Sequence, residues 1–583
     1  MPTVAPYGTW KSPIEADLIT QKSIQLVDII PDPITGELFH VEGRPSEGGR
    51  NVIVRSRTNE DIFGPGWNAR SGVHEYGGAP ATAYGGKIYF SEWKTRRIYM
   101  TDGSTEPIPV TQENPNLRYA NIAVCPSSPH LLVAVQENHE KPAPNDVVNE
   151  LVVINTQTQL VTSLVAGADF YSSPTFSPDG KHIAWLGWKH PDMPWEGSQI
   201  WVADAEVTDT SFQVLNAHLV DGEPDKISAN EPLWINNDTL VYQCDASGYY
   251  NPCKYSISSQ TCKKILREPI KDDFSESAWV FGMSRCTALD ERTLLASPIH
   301  EGFSQLMIID IETEETTIID NSFTSIDFLR YLSPTSAVMS GLGDDNAVAL
   351  IQVEFTDYKT PPTFTTIKET SNLVSTLPPG YISSGEPCSL KGGNLYAILN
   401  LPTNADFSGP SSEKPPAVVN IHGGPTGRTR PGLSWITQYF TSRGWAWIDV
   451  NYSGSSGYGR AYRERLRGKW GIAEVADAAD VVKELGEQGV IDPKRVAIRG
   501  GSAGGYTVLM TLCTPETANV FAAGTSSYGV SDLAMLANDT HKFESQYLFK
   551  LVGGTPEEVP EIYAARSPVK HADEIRSPLL VCY

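Results

Sequence analysis

Seven short β repeats, followed by strands that alternate with helices around a Gly-x-Ser-x-Gly turn, predict an N-terminal seven-bladed β-propeller joined to an incomplete α/β-hydrolase domain. Three observations carry this. From about residue 37 to about 355, alternating apolar segments are broken by Gly, Pro, Asn and Asp, with almost no helical period. After 376–380 (TLPPG) strands and helices follow each other, the grammar of a mostly parallel sheet. Within that second half, 499–506 reads RGGSAGGY, a serine on a glycine-flanked turn.

The propeller repeat is clearest at 173–204, where a strand, an SPDG turn, the strand 182–188, a polar loop and the strand 199–203 succeed one another. Comparable units are GELFHVEGRP, GKIYFSEWKTRRIYM, LLVAVQENHE with ELVVINTQ, LWINNDTLVYQCDASGYYNPCKYSI, RTLLASPIHEGFSQLMIIDIET and SAVMSGLGDDNAVALIQVE. Their starts lie roughly 40 to 55 residues apart, the period of propeller blades. The expected division is 1–378 for the propeller with an N-terminal extension, and 379–583 for the hydrolase domain. A chain of 583 residues is too long for a single core, so two units are in order.

In the second half, strands are expected at 417–421 and 445–450, then a helix over about 472–485 with Val475, Ala478, Ala479, Val482 and Leu485 on one face. A strand at 495–498 leads into the serine turn and a helix over about 505–512. FAAGTSSYG and SPLLVCY supply two further strands. Gly500-Gly501-Ser502-Ala503-Gly504 fits the nucleophile elbow, whose glycines are needed because the strand-to-helix turn is crowded. A serine hydroxyl is a weak nucleophile until a base takes its proton and donors receive the developing oxyanion. IHGGPT at 421–426 follows the first strong parallel strand, where the second oxyanion donor belongs. The N–H groups of Ala503 and Gly424 are therefore the expected pair, with Gly423 as the alternative to Gly424. The arginine-rich loop 451–471 is expected at the pocket mouth with its charges in solvent, the alternative being that they hold a peptide carboxylate.

Composition narrows the partners. With 45 basic and 69 acidic residues the formal charge is −24, which disfavours nucleic acid and anionic membranes and leaves small molecules, peptides or proteins. The N-terminus has no basic segment before an apolar run, and no apolar stretch approaches the roughly 20 residues that span a bilayer, so a cytosolic protein is expected. Eight scattered cysteines without a CxxC pair suit reduced thiols. Cys244, Cys253 and Cys262 are evenly spaced but have no histidine nearby. Neither a metal nor a cofactor is expected.

IHGGPT, NYSGSSGYGRAYRERL, IDPKRVAIRGGSAGGYTVL and DTHKFES, behind the seven repeats, resemble the prolyl oligopeptidase family of serine peptidases, in particular its acylaminoacyl-peptidase and dipeptidyl aminopeptidase branch. YGTWKSPI near the N-terminus and VHEYGG at 73–78 extend the resemblance over essentially the whole chain. It implies cleavage of short peptides near their N-terminus through an acyl-enzyme on Ser502, a propeller that restricts access, and possible homo-oligomers. Glu75 is the nearest thing to an anchor for a free amine, and a buried structural glutamate is its simpler reading. An acyl esterase on the same body and a non-catalytic peptide-binding propeller are the alternative functions.

The base is the difficulty. The fold orders its triad Ser, Asp or Glu, His, and only His541 and His571 follow Ser502. His571 precedes the final strand and is expected at the far end of the sheet, about 20 Å of strand away. His541 sits in the excursion between strands, with no later acid-bearing loop beside it. His422 reads as part of the oxyanion loop and His74 as a hydrogen-bonded structural histidine. In relatives the strand matching SPLLVCY runs on to the catalytic aspartate and histidine. The chain is accordingly expected to lack its C-terminal part and its catalytic Asp and His, to leave a sheet edge open, and to be inactive as given.

Overall fold

The computed structural model describes residues 1–20, 24–208 and 212–583. Seven four-stranded antiparallel sheets occupy 25–369, each built from four consecutive main strands. They begin at Gln25–Pro31, Ala81–Tyr84, Leu117–Val124, Phe170–Phe176, Ala229–Trp234, Cys286–Ala288 and Phe323–Ser333, and every repeat read from the sequence falls in one of them. The first and last strands, Gln25–Pro31 and Thr363–Glu369, lie outside the limits set by alternation. The second strand of a blade is apolar on both faces, as in Leu131–Asn138, while the outermost, such as Leu160–Val165, is largely exposed. The SPDG turn at 177–180 shows how such turns punctuate the blades. Ser177 Oγ donates to Asp179 Oδ1 at 2.8 Å, the Gly180 N–H donates to Ser177 O at 2.8 Å, and Gly180 holds φ +70°, the left-handed conformation glycine adopts without strain.

Five seams between blades are apolar clusters shared by two neighbours, and the seam between the fourth and fifth blades is continuous with the hydrolase core. The ring closes by the same means: Ile29 and Leu38 of the first blade pack on Leu332, Val338 and Leu350 of the seventh, and no sheet mixes strands from the two ends of the propeller.

The hydrolase sheet has seven strands, β1 (Gly385–Leu390), β2 (Leu395–Asn400), β3 (Ala417–Ile421), β4 (Ala446–Asn451), β5 (Val496–Gly501), β6 (Ala523–Ser527) and β7 (Leu579–Cys582), in the order β1-β2-β4-β3-β5-β6-β7. The antiparallel hairpin β1–β2 was not read from the sequence. Its strands carry Glu386, Pro387 and Cys388 against a half-exposed edge, which weakens the alternation. Strands β3 to β7 are parallel, with Ile421 opposite both Val450 and Gly500. Helices α1 (Trp435–Thr441), α2 (Ala473–Glu487) and α3 (Ala503–Cys513) cross between them. Helix α2 buries Val475, Ala478, Val482 and Leu485 as expected and Val481 as well, with Ala479 only half-buried. The N-terminal extension packs on this domain: Thr3–Val4 pairs with Phe407–Ser408, and Ile14 is fully buried there, its carbonyl accepting from Arg443. No helix among the described residues is long and apolar enough to cross a membrane.

Buried charges tie the two halves together. Asp245 of the fifth blade, fully enclosed, accepts from Arg460 at 3.0 Å and from Arg463 at 2.8 Å. The loop 451–471 therefore spends these two arginines on the propeller, contrary to the expectation of solvated charge, because a buried carboxylate waits for them. A second knot joins Glu276, Arg285 and Asp327 of the propeller to Arg428 and Arg430. Burial alone would raise the Glu276 carboxyl, but Arg285, Arg428 and Arg430 outweigh it and hold the group well below the usual carboxylate range. Removing one partner of such a knot strands the other in low dielectric. Asp245→Ala is expected to lower the unfolding free energy by about 3 kcal/mol, read from chemical denaturation, whereas an Ala at exposed Glu464 should change it by about 1 kcal/mol or less.

Candidate active site

Strand β5 ends at Gly501 and helix α3 starts at Ala503, so Ser502 alone makes the turn, with φ 54° and ψ −124°. Few non-glycine residues hold such angles, and here the surroundings impose them. The Ser502 N–H donates to Ser527 O at 3.0 Å and its carbonyl accepts from the Tyr506 N–H at 3.0 Å. The flanking glycines allow this by having no side chain: a Cβ on Gly504 would lie 2.2 Å from Ile421 O, and one on Gly500 would lie 2.5 Å from the Gly504 carbonyl. Helix α3 is thereby pressed onto the end of β3, and the serine side chain stands exposed at its N-terminus.

The loop that leaves β3 lies beside it. A Cβ on Gly423 would come within 3.6 Å of Ser502 Cβ. Gly424 and Ala503 line one cavity with Ser502, and among the described residues neither their N–H groups nor that of Gly423 donates to a protein acceptor. The loop is held from all sides. The His422 ring stacks on Tyr452 at 4.2 Å and bonds Ser455 Oγ and Gly423 O, both at 2.7 Å. Tyr452 Oη donates to His422 O and Pro425 O. Thr426 meets the Tyr547 hydroxyl, and its carbonyl accepts from the propeller's Trp279 Nε1 at 2.7 Å.

The cavity itself is small, about 100 Å³. Val530, Leu536, Ala537, Leu548 and Leu551 make it apolar, with Trp470 and Tyr547 closing the sides. Polar character comes from Tyr76, Thr540, Glu544 and Ser545. Tyr76 also borders a cavity of about 570 Å³ walled by propeller residues including Gly78, Phe281 and Phe328, so it stands between the propeller interior and the serine. Glu544, Tyr76, Trp470 and Trp279 were not singled out in the sequence. Only folding brings 76 and 279 to 544, although Glu544 lies inside DTHKFES.

None of the chain's 11 histidines lines this cavity. His541 Nε2 contacts Glu544 Oε2 at 3.2 Å, His571 Nε2 lies 3.3 Å from Ala564 O, and His422 is spent on its own loop. Among the described residues Ser502 Oγ has no side-chain hydrogen-bond partner. One expectation is corrected. Glu75 is not buried: its side chain is 40 % exposed and pairs with Arg118 at 2.8 Å, because the left-handed turn at His74 and Glu75 points it outward. His74 is a buried structural histidine as expected, its ring packed among Phe281, Phe170, Phe543 and Trp188 with Asn149 beside it. Cys244, Cys253 and Cys262 occupy three adjacent strands of the fifth blade as free thiols.

A serine raised on a strand-to-helix elbow, beneath a seven-bladed propeller and beside a loop of unengaged amides, defines a propeller-capped α/β-hydrolase. The comparisons with known proteins agree. The Prolyl oligopeptidase family model matches residues 431–583. The structure of a puromycin-hydrolyzing peptidase of Mycobacterium tuberculosis is 32 % identical, with a TM-score of 0.88 over 99 % of this chain and 88 % of that one. A puromycin hydrolase structure gives 32 % identity and 0.89 over the same shares. Dipeptidyl aminopeptidase BIII of Pseudoxanthomonas mexicana is 33 % identical over 203 residues, 34 % of this chain and 29 % of that protein. The chain thus matches less than a third of that curated relative's length. It belongs to the prolyl oligopeptidase family of serine peptidases.

Two tests follow from this geometry. Gly504→Ala forces a Cβ into the Ile421 carbonyl and should cost about 3 kcal/mol or prevent folding, while Ser502→Ala should leave the melting temperature nearly unchanged. Burial pushes the His74 and His422 rings down to about 4, below the usual value of 6.5. The folded state then binds fewer protons than the unfolded one between those values, so this stability is complete above pH 6.5 and is lost as pH falls through 4. Each ring accounts for on the order of 3 kcal/mol. His74→Phe, which keeps the aromatic packing, should lose less stability than the wild type between pH 7 and 4 in denaturant titrations.

Proposed function

We propose that this protein is a serine peptidase that hydrolyses amide bonds near the N-terminus of short peptides and aminoacyl amides, with Ser502 as nucleophile and the N–H groups of Ala503 and Gly424 as oxyanion donors. The observation that carries the reading is the single cavity into which Ser502, Gly424 and Ala503 all open. Ser502 Oγ adds to the scissile carbonyl carbon as its proton passes to a base from solvent, and the oxyanion is received by the two amides, that of Ala503 at the positive end of α3 and that of Gly424 in the facing loop. Collapse breaks the C–N bond, the amine takes the proton back from the conjugate acid of that base, and water, giving a proton to the base in its turn, attacks the acyl-enzyme to release the acid and free Ser502. The small apolar cavity suits one side chain of the acyl residue, and the propeller above it favours substrates that are short. Similarity to a peptidase described as puromycin-hydrolyzing supports aminoacyl amides as a substrate class. A reducing, cytosolic location belongs to the same proposal, supported by the buried free thiols Cys125, Cys244, Cys286 and Cys513.

The proton of Ser502 has no imidazole to receive it within residues 1–583, so a polypeptide of these residues alone is proposed to work near the level of an oxyanion hole without a triad, about 10³- to 10⁴-fold above water. Imidazole added to the buffer should then act as the base. Hydrolysis of puromycin and of an aminoacyl p-nitroanilide by residues 1–583 is expected to be slow, to rise in proportion to imidazole, and to vanish in Ser502→Ala. A rate indifferent both to imidazole and to Ser502→Ala would overturn the proposal.

A further inference from the structure

A separate cavity of about 380 Å³ is cut into the propeller by the segment 70–75, the turn 91–96 of the second blade, and Arg118 and Tyr119 of the third. It lies on the face turned toward the hydrolase domain, because Tyr76, next in sequence, packs on His541 and Phe543 of that domain. Arg70 and Ser71 also wall the 570 Å³ cavity that Tyr76 shares with the Ser502 cavity, so the three spaces follow one another. Among the described residues none of those lining the 380 Å³ cavity bonds to the hydrolase domain, which leaves its mouth open.

The charge there is opposite to that of the chain. Four cations, Arg70, Lys94, Arg96 and Arg118, stand against two carboxylates, Glu75 and Glu92, in a protein of formal charge −24. Arg118 is committed to Glu75 at 2.8 Å. The Arg96 guanidinium donates only to Pro115 O, and among the described residues the side chains of Arg70 and Lys94 have neither a hydrogen-bond acceptor nor a carboxylate partner. Arg70 is nevertheless held, its guanidinium over the Trp93 ring at 4.5 Å. Gly72 lets that ring lie close, since a Cβ there would come within 3.2 Å of it. Glu92, in the same wall, is only 3 % exposed. Its Oε2 accepts from the Thr95 N–H at 2.7 Å and from the Thr95 hydroxyl at 2.9 Å, while Oε1 is buried without a partner. A buried acceptor left open costs free energy that a ligand N–H would recover.

Unpaired cations around one open acceptor call for a ligand with a single negative charge and an N–H close to it. The end of a peptide has both, a carboxylate and the amide N–H of the last residue, and the fork of Arg70 matches the carboxylate. A phosphate brings nearly two negative charges against both Glu75 and Glu92 and fits less well. We propose that this pocket holds the C-terminal carboxylate of short peptides on the leaving side of Ser502, with Arg70, Lys94 and Arg96 meeting the carboxylate and Glu92 Oε1 accepting the last N–H. What this adds to the peptidase reading is a preference for substrates with a free C-terminus, and for that it rests on Ser502 as the nucleophile.

Equilibrium binding tests the pocket, because it needs no base. N-Acetyl-L-alanyl-L-phenylalanine and its C-terminal amide are titrated against residues 1–583 by calorimetry. The free acid is expected to bind at least about tenfold more tightly, and the ratio to shrink in 1 M NaCl because the cations are exposed. Combining Arg70→Gln with Lys94→Gln, both at exposed positions that do not support the fold, should bring the ratio to about one through loss of acid binding. Arg576→Gln, at an exposed arginine of the hydrolase domain, should keep it. Equal binding of the two ligands by the wild type, a ratio kept in the double variant, no binding of either ligand, or inorganic phosphate binding more tightly than the acid overturns the assignment. Hydrolysis of puromycin in imidazole tests the nucleophile separately. If that rate is indifferent to Ser502→Ala while the acid ratio holds, Ser502 is not the nucleophile and the carboxylate pocket stands; if the rate depends on Ser502 and the ratio is one, the reverse is true.

Discussion

The loop 422–430 is the constraint on which the rest of the molecule depends. Its first residues pass under Ser502, its middle residue Thr426 is gripped by Tyr547 from below and by Trp279 of the propeller from above, and its last residues, Arg428 and Arg430, enter the buried knot around Glu276 and Asp327. A loop of free amides is useful to a developing oxyanion only if it cannot relax toward other acceptors, and the stacking of His422 on Tyr452 with its two hydrogen bonds prevents that. The loop is also the principal strap between the two halves of the chain. The position of the propeller and the preorganisation of the site therefore have one physical cause.

The electrostatics follow the same logic. Buried ion pairs offset their desolvation best when their charges are met, and the interface uses arginine, whose planar fork can reach two acceptors at once. Arg463 donates to Asp245 and to Trp195 O, and Arg285 reaches Glu276, Asp327 and two backbone carbonyls. Such interactions add little net stability but are strict about geometry. They hold Tyr76 and Trp279, both propeller residues, in register with a hydrolase cavity to which neither is close in sequence.

The propeller distributes its stability in another way. The other six seams are broader apolar clusters, while the seam between the first and seventh blades has only five buried apolar residues, supplemented by Asp28 with Arg330 and by Lys368 with Glu42. Burial lifts the Asp28 carboxyl to about 6 in spite of Arg330, which marks this seam as drier than its charges would prefer. Ring closure thus relies on packing and a few polar contacts instead of a shared sheet.

Much of this was determined by the sequence alone. Period-two alternation and SPDG-like turns identified all seven blades because each blade is a local structure, and Gly500 to Gly504 identified the elbow because close approach to Ile421 O leaves no alternative to glycine. Alternation does not reach the propeller's first and last strands, Gln25–Pro31 and Thr363–Glu369, or the β1–β2 hairpin, since edge strands need not alternate. Tertiary structure decided what alternation cannot express. Arg460 and Arg463 look like solvated charge until Asp245 is placed opposite them. Tyr76 and Glu544, 468 positions apart, meet only because the interface knots lock the two domains at one spacing. A sequence records which side chains are available locally; which of them share a cavity is fixed by long-range packing, where burial and charge compensation select one arrangement.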